Sequence, residues 1–234
     1  MGKSVNIPPC AECKNKNSIF CSLSIAEKDN LSTNKVSNFY KKGQVIFYEG
    51  NQSHGLFCIY EGKVKLSKLG SDGKDQVVRF TKTGEVLGYR SLFSGEPYQA
   101  TATVLEDSYI CHLRKDKFMD SVNGNPKLSL EIIKLLSSNL KNAERHLLNI
   151  AQKTATERIA SALLLMQSIF GFKPDGKTLD IVLTRSEIAD IAATTSETTI
   201  RTLKKLSKEG KLVLNGKKIV IPDLNVLKKV AGYL

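Results

Sequence analysis

Tryptophan is missing altogether, and the chain has only three histidines, six prolines and three methionines in 234 residues. His54, His112 and His146 are scattered, so they do not supply the His/carboxylate cluster that a metal-dependent catalytic roll requires. No Ser-His-Asp set, P-loop or dinucleotide-binding glycine fingerprint occurs either, and a non-enzymatic role is expected. Long hydrophobic runs are lacking: nothing reaches the roughly 18 apolar residues that mark a membrane span. The opening MGKSVNIPPCAECK has no apolar stretch of the export type, so a cytoplasmic protein is expected. Acid is the scarcer charge, with 23 Asp and Glu against 35 Lys and Arg, a formal +12. That excess favours a polyanionic partner. With 41% hydrophobic and 25% charged residues the composition is that of a folded chain, and the length suits one or two domains.

Cysteine is used unevenly. There are five, an odd number, and three of them are Cys10, Cys13 and Cys21. In a chain with no export signal, such clustering reads as metal-binding or redox-active before it reads as a disulfide framework. Two thiolates spaced as Cys10 and Cys13 can ligate one centre, and a third on the same arm can close around it. Cys58 lies in an apolar run, GLFCIY, and is expected to be a small core residue.

From Lys41 to about Arg114, short apolar runs are broken by glycines: VIFY (45–48), GLFCIY (55–60), KVKLSKL (63–69), QVVRF (76–80), ATATVL (100–105) and YICHL (109–113). That spacing predicts a compact antiparallel β-roll, and the alternation of KVKLSKL predicts one wet face. The period then changes. Ile133, Leu136, Leu140, Ala143, Leu147 and Ile150 recur at alternating gaps of 3 and 4, an a/d seam on a helix that Pro126 opens after Asn125 as cap. We read it as a dimerisation helix.

The C-terminal part begins after the turn-rich GFKPDGKTLD (171–180). Thr184-Arg-Ser-Glu187 has capping-box spacing ahead of a short helix, and the Ala193–Thr195 turn leads to a second helix with Thr195 as cap and Gly210 as stop. LVLNGKKIVI (212–221) then reads as a hairpin turning at Asn215-Gly216 in type I′ geometry. Helix, turn, helix and hairpin make a winged helix. Arg201, Lys204, Lys205, Lys208, Lys211, Lys217 and Lys218 face only Glu209 in this stretch, a local phosphate-binding surface. Glu197 and Arg201 lie one turn apart at its head, where a carboxylate can accept from cytosine N4 and a guanidinium can donate to guanine O6 and N7.

The expected architecture is α+β: a cysteine-rich arm (1–24), a jelly-roll-like sensor β-roll (25–124), a dimerisation helix (125–152) and a winged helix-turn-helix domain (153–234). With GEVLGYRSLFSGE (84–96), ERIASALLL (157–165) and TRSEIADIAATTSETTIRTLKKLSKEGKL (184–212), the whole chain resembles the Crp/Fnr family of bacterial transcription regulators. The resemblance implies a homodimer on a two-fold symmetric double-stranded DNA site, with RNA polymerase as a further partner. It implies base contacts by Glu197 and Arg201, and Thr195, Ser196, Thr198, Ile200, Lys204, Lys205 and Lys217 complete the candidate DNA surface. Two departures stand out: Ala193 occupies a turn position usually held by glycine, and Ile200 a slot that is a base-contacting serine in the oxygen-sensing branch.

In the cyclic-nucleotide branch, a Glu after Gly-Glu-x-x-Gly holds the ribose and a later Arg-Ser pair the phosphate. Those positions are Tyr89 and Gln99-Ala100 here, so cyclic AMP is disfavoured, because a buried phosphate would lack its cation. Arg90 stands nearby, and Tyr89, Arg90 and Gln99 are the candidate pocket for another anionic effector. Cys111 falls where the oxygen-sensing branch has its fourth ligand, so the resemblance implies a [4Fe–4S] cluster on Cys10, Cys13, Cys21 and Cys111. Its second gap of seven residues is longer than in the best-known members. Structural zinc, a thiol–disulfide switch, and no metal with haem or another ligand in the roll are the alternatives. His112, next to Cys111, would alternate to the opposite face. A rival class, the regulatory subunit of an enzyme, has no use for Glu197 and Arg201 at the head of a basic helix.

Overall fold

The protein is described from a computed structural model covering residues 7–13, 15, 18–70, 73 and 75–233. It falls into two compact units; the first ends at Leu140, and the second begins at Lys141 and also takes in Gln76–Val78.

In the first unit, two four-stranded sheets lie face to face. One has the order β1 (Lys35–Tyr40), β8 (Ser108–Arg114), β3 (Gly55–Glu61), β6 (Val86–Leu87), and the other β2 (Val45–Phe47), β7 (Thr101–Val104), β4 (Lys63–Leu69), β5 (Asp75–Lys82). Alternation along each strand sends one set of side chains between the sheets, where Phe47, Ile59, Val64, Leu87, Tyr98, Ala102, Val104 and Ile110 form a core. The wet-face expectation for KVKLSKL holds only in part. Val64 is buried, but Ser67 is buried too, and Leu69 is exposed because it runs past the last pair with β7, Ser67↔Thr101.

The other face of the first sheet carries a second core beneath helices α1 (Ile25–Thr33), α2 (Tyr89–Ser94), α3 (Lys115–Gly124) and the start of α4 (Pro126–Gln152). Leu31, Leu56, Val86, Tyr89, Leu113, Phe118, Leu128 and Ile132 meet there, and Cys10, Ile19, Phe20 and Cys58 pack against them. Gly88 makes the turn into α2 at φ 84°, and a Cβ there would sit 3.0 Å from the Gly55 carbonyl oxygen, so glycine is needed for both conformation and space. Asn125 Oδ1 accepts from the Leu128 amide at 3.0 Å, satisfying a free donor at the start of α4.

In the second unit, α5 (Ala155–Phe170), α6 (Arg185–Ile191), α7 (Ser196–Lys208) and α8 (Leu224–Val230) surround a core that includes Ile159, Leu163, Met166, Ile188, Leu203, Leu206 and Leu227. Capping boxes start α5 (Thr154 and Glu157) and α6 (Thr184 and Glu187), and Thr195 accepts from the Thr198 amide to start α7. Strands β9 (Val213–Asn215) and β10 (Lys218–Val220) form the hairpin. The expected turn is corrected here. Asn215 pairs with Lys218, so Gly216 and Lys217 are the two loop residues, and of these only Gly216 has positive φ, at 62°. Glycine first is the arrangement of a type II′ turn, not the type I′ turn that Asn215-Gly216 suggested.

Candidate DNA-reading face and cysteine cavity

Helix α7 turns Thr199, Thr202, Leu203 and Leu206 inward and leaves Glu197, Ile200, Arg201, Lys204 and Lys205 exposed. Thr195 and Lys217 are exposed as well, and Ser196 and Thr198 are half-buried at the start of the helix. Ile200 repeats in sequence with the core leucines but projects outward, alongside the charged residues. No ion pair joins Glu197 to Arg201 among the described residues, so both heads are available to a partner. Lys211 is taken by Glu209 at 2.7 Å. On the wing side, Arg185 donates from Nη2 to the Gly216 carbonyl at 2.9 Å, which fixes the hairpin tip against α6.

The turn between α6 and α7 runs through Ala193, whose φ of 47° is the only positive value outside glycine among the described residues. Arg158 of α5 clamps it: Nε donates to the Ala192 carbonyl at 2.8 Å, Nη2 to the Ala193 carbonyl at 3.2 Å and Nη1 to the Lys153 carbonyl at 2.8 Å. Sequence reasoning missed Arg158, because its acceptors lie up to 35 residues away.

Six candidate seam residues of α4 are all exposed: Ile133, Leu136, Leu140, Ala143, Leu147 and Ile150. The same helix buries Leu128 and Ile132 in the core near its start, and along the rest of its length it leaves this apolar stripe exposed among the described residues.

The candidate effector residues differ in exposure. Tyr89 is buried, and its hydroxyl accepts from Arg79 Nη1 and from Asn139 Nδ2, both at 2.6 Å. Arg90 and Gln99 are exposed, with Gln99 Nε2 donating to the Pro97 carbonyl at 3.3 Å.

The cysteines gather. Cys10, Cys13, Cys21, Cys58 and Cys111 line one cavity of about 310 Å³, together with Asn15, Lys28, Lys35 and Tyr60. Several contacts bind the arm to this place. The Cys10 amide donates to Ser32 Oγ, Asn15 Nδ2 donates to the Tyr60 carbonyl at 2.9 Å, and the Phe20 ring stands edge-on to Phe118 at 6.3 Å. Cys58, expected as a small core residue, packs against the second core and also forms part of the cavity wall. It pairs in register with Cys111, and it is half-buried because the cavity opens beside it. His112 projects to the opposite face, 4.7 Å from the Phe57 ring. Burial pushes the Cys58 thiol well up from its ordinary value, and the neighbouring Cys111, Cys10 and Cys13 push the same way against Lys35. Burial also raises Cys111, opposed by the Ser37 hydroxyl at 3.5 Å. As placed, no three His, Cys, Asp or Glu side chains among the described residues converge as a metal site would need. The donor set nevertheless suits an iron–sulfur group, which takes four thiolates, and five line this one cavity.

A helix-turn-helix with an outward basic reading helix and a wing, joined by a long helix to a β-roll, defines a DNA-binding transcription regulator. Residues 37–125 match the cyclic nucleotide-binding domain, and residues 157–230 match the Crp-like helix-turn-helix domain. The chain is 29% identical over 194 residues to the electron transport regulator A of Shewanella oneidensis, covering 82% of this chain and 77% of that protein. It is 28% identical over 196 residues to the fumarate and nitrate reduction regulatory protein of Escherichia coli, with the same coverage. Among solved structures it is similar to FixK2 from Bradyrhizobium japonicum, with TM-score 0.73 and 26% identity over 84% of this chain and 96% of that one. The chain belongs to the Crp/Fnr family, whose members are DNA-binding regulators and not enzymes. No described helix is long and apolar enough to cross a membrane.

Proposed function

We propose that the protein is a homodimeric, sequence-specific regulator whose DNA binding is set by redox or oxygen state through a [4Fe–4S] cluster at the cysteine cavity. One observation carries the sensing part: five cysteines from the arm, β3 and β8 line a single cavity. In the DNA-binding part, the head of α7 enters the major groove, where Glu197 accepts from cytosine and Arg201 donates to guanine. Ile200 offers apolar contact to a base edge. Thr195, Ser196 and Thr198 at the helix start, with Lys204, Lys205 and Lys217, hold phosphates. The seam from Ile133 to Ile150 pairs two copies, which places two reading heads on a two-fold symmetric site.

When bound, the cluster supplies a redox-sensitive and oxygen-sensitive link between arm and sheet. Cys10, Cys13, Cys21 and Cys111 are the set the family resemblance implies. The chain's own packing would carry the signal. Cys10 and Phe20 of the arm rest on the core that also holds Leu128 and Ile132, so an arm that lets go loosens the seat of α4. A cyclic nucleotide is not the effector in this reading, since the Tyr89 hydroxyl is already engaged and Gln99 brings no charge. Action in the cytoplasm and contact with RNA polymerase belong to the same reading.

The test is iron and acid-labile sulfide content, with the visible spectrum, of protein purified without air. About four irons per chain and an absorption that bleaches in air support the cluster. Protein that stays iron-free after anaerobic reconstitution overturns it and leaves the DNA-binding part standing.

A further inference from the structure

Across the first sheet, Ser37, Cys111, Cys58 and Val86 stand in one row, each paired in register with the next. Directly opposed residues on antiparallel strands project to the same face, with Cβ atoms about 4.5–5.5 Å apart. Cys58 and Cys111 therefore present two thiols side by side, fixed by the β3–β8 ladder, to one cavity. Cys111 has the Ser37 hydroxyl on its other side at 3.5 Å. The arm contributes three more thiols to the same space. The cavity thus holds one thiol more than a cubic cluster uses, and the surplus lies on the rigid wall.

We infer that Cys58 is a reserve ligand: with Cys111 lost, Cys58 takes its place on the iron beside Cys10, Cys13 and Cys21. This rests on the iron–sulfur reading above. The exchange needs no oxidant. The Cys58 thiol gives its proton to solvent as its sulfur binds iron, and no electrons are transferred.

The experiment measures iron and sulfide after anaerobic reconstitution of the full chain and of Cys111→Ser, Cys58→Ser and the double variant, with circular dichroism to confirm folding. The expected result is about four irons per chain in wild type and in both single variants, and loss of iron in the double variant. A folded Cys111→Ser without iron overturns the inference, and so does a double variant that keeps its iron. Iron-free wild type overturns the cluster reading itself, a result distinct from either. Should Cys111→Ser fail to fold, Cys111→Ala replaces it, since alanine suits the neighbouring apolar core.

Discussion

Arg158 Nη2 donates to the carbonyl oxygen of Ala193 at 3.2 Å, and Ala193 is the one non-glycine residue of positive φ among the described residues. A residue with a Cβ costs about 1–2 kcal/mol in the left-handed region, so the turn between α6 and α7 carries strain that the guanidinium holds in place. Ala193→Gly should stabilise the winged-helix unit by about 1 kcal/mol, seen as a rise of roughly 2–8 °C in its thermal transition. Arg158→Ala, which strands three carbonyls, should destabilise it by about 2–3 kcal/mol. If Ala193→Gly lowers the transition, the left-handed turn is not what the residue adopts in solution.

Base reading and phosphate holding separate in a salt titration. Arg201→Ala should cost about 1–3 kcal/mol on the specific duplex, roughly 5–150-fold, with little change on a scrambled one. Lys205→Ala should weaken both duplexes alike and reduce the salt slope by about 0.9. Fluorescence anisotropy at several salt concentrations measures both. An Arg201 variant that keeps its operator preference is not part of the reading head.

Much of this layout is legible in the order of the residues alone. The glycine-broken runs form strands, KVKLSKL as β4 with the same bounds, because period-2 patterning with turn residues is a local signal. The helix-turn-helix is legible for the same reason, since Thr184, Glu187 and Thr195 act on amides within three residues. Strand β1 is not, because KVSNFY has little apolar pattern and lies at a sheet edge. The part Cys58 plays in the cavity is not legible, because its neighbour is set by a pairing across more than fifty residues, which no local period reveals. Arg158 escapes notice for the same physical reason: a clamp on a distant turn leaves no periodic trace.

The loop before α6 offers a pH test. The Asp175 carboxylate accepts from the Lys177 and Thr178 amides and from the Thr178 hydroxyl, which holds its pKa down to about 2 from an ordinary 3.8. With the folded value below the unfolded one, its contribution is fully present above the unfolded value and is lost as pH falls toward about 2. Thermal unfolding of wild type and Asp175→Asn should differ at pH 5, and the gap should close between about pH 4 and pH 2. A gap that is constant across that window would mean the carboxylate is not charged in the folded turn.

The exposed apolar seam of α4 sets the last test. Leu140 is 62% exposed and Leu147 is 66% exposed in the single chain, and both lie in a 3-4 repeat on one side of the helix. Burying each side chain against a partner copy gains roughly 1.5–3 kcal/mol, and a carboxylate there reverses that gain, because two copies would bring like charges together in a drying seam. Leu140→Glu should therefore convert a dimer to monomer in sedimentation without lowering the helix content, since position 140 is mostly exposed in the single chain. Lys141→Glu, one residue on and off the seam, should leave the dimer intact. Because two reading heads on one duplex gain by linkage, the Leu140 variant should also lose about 100-fold or more in affinity for the full site, and much less for a half-site. A variant that remains dimeric would move the interface off this helix. A monomer that binds the full site unimpaired would show that each head reads DNA on its own.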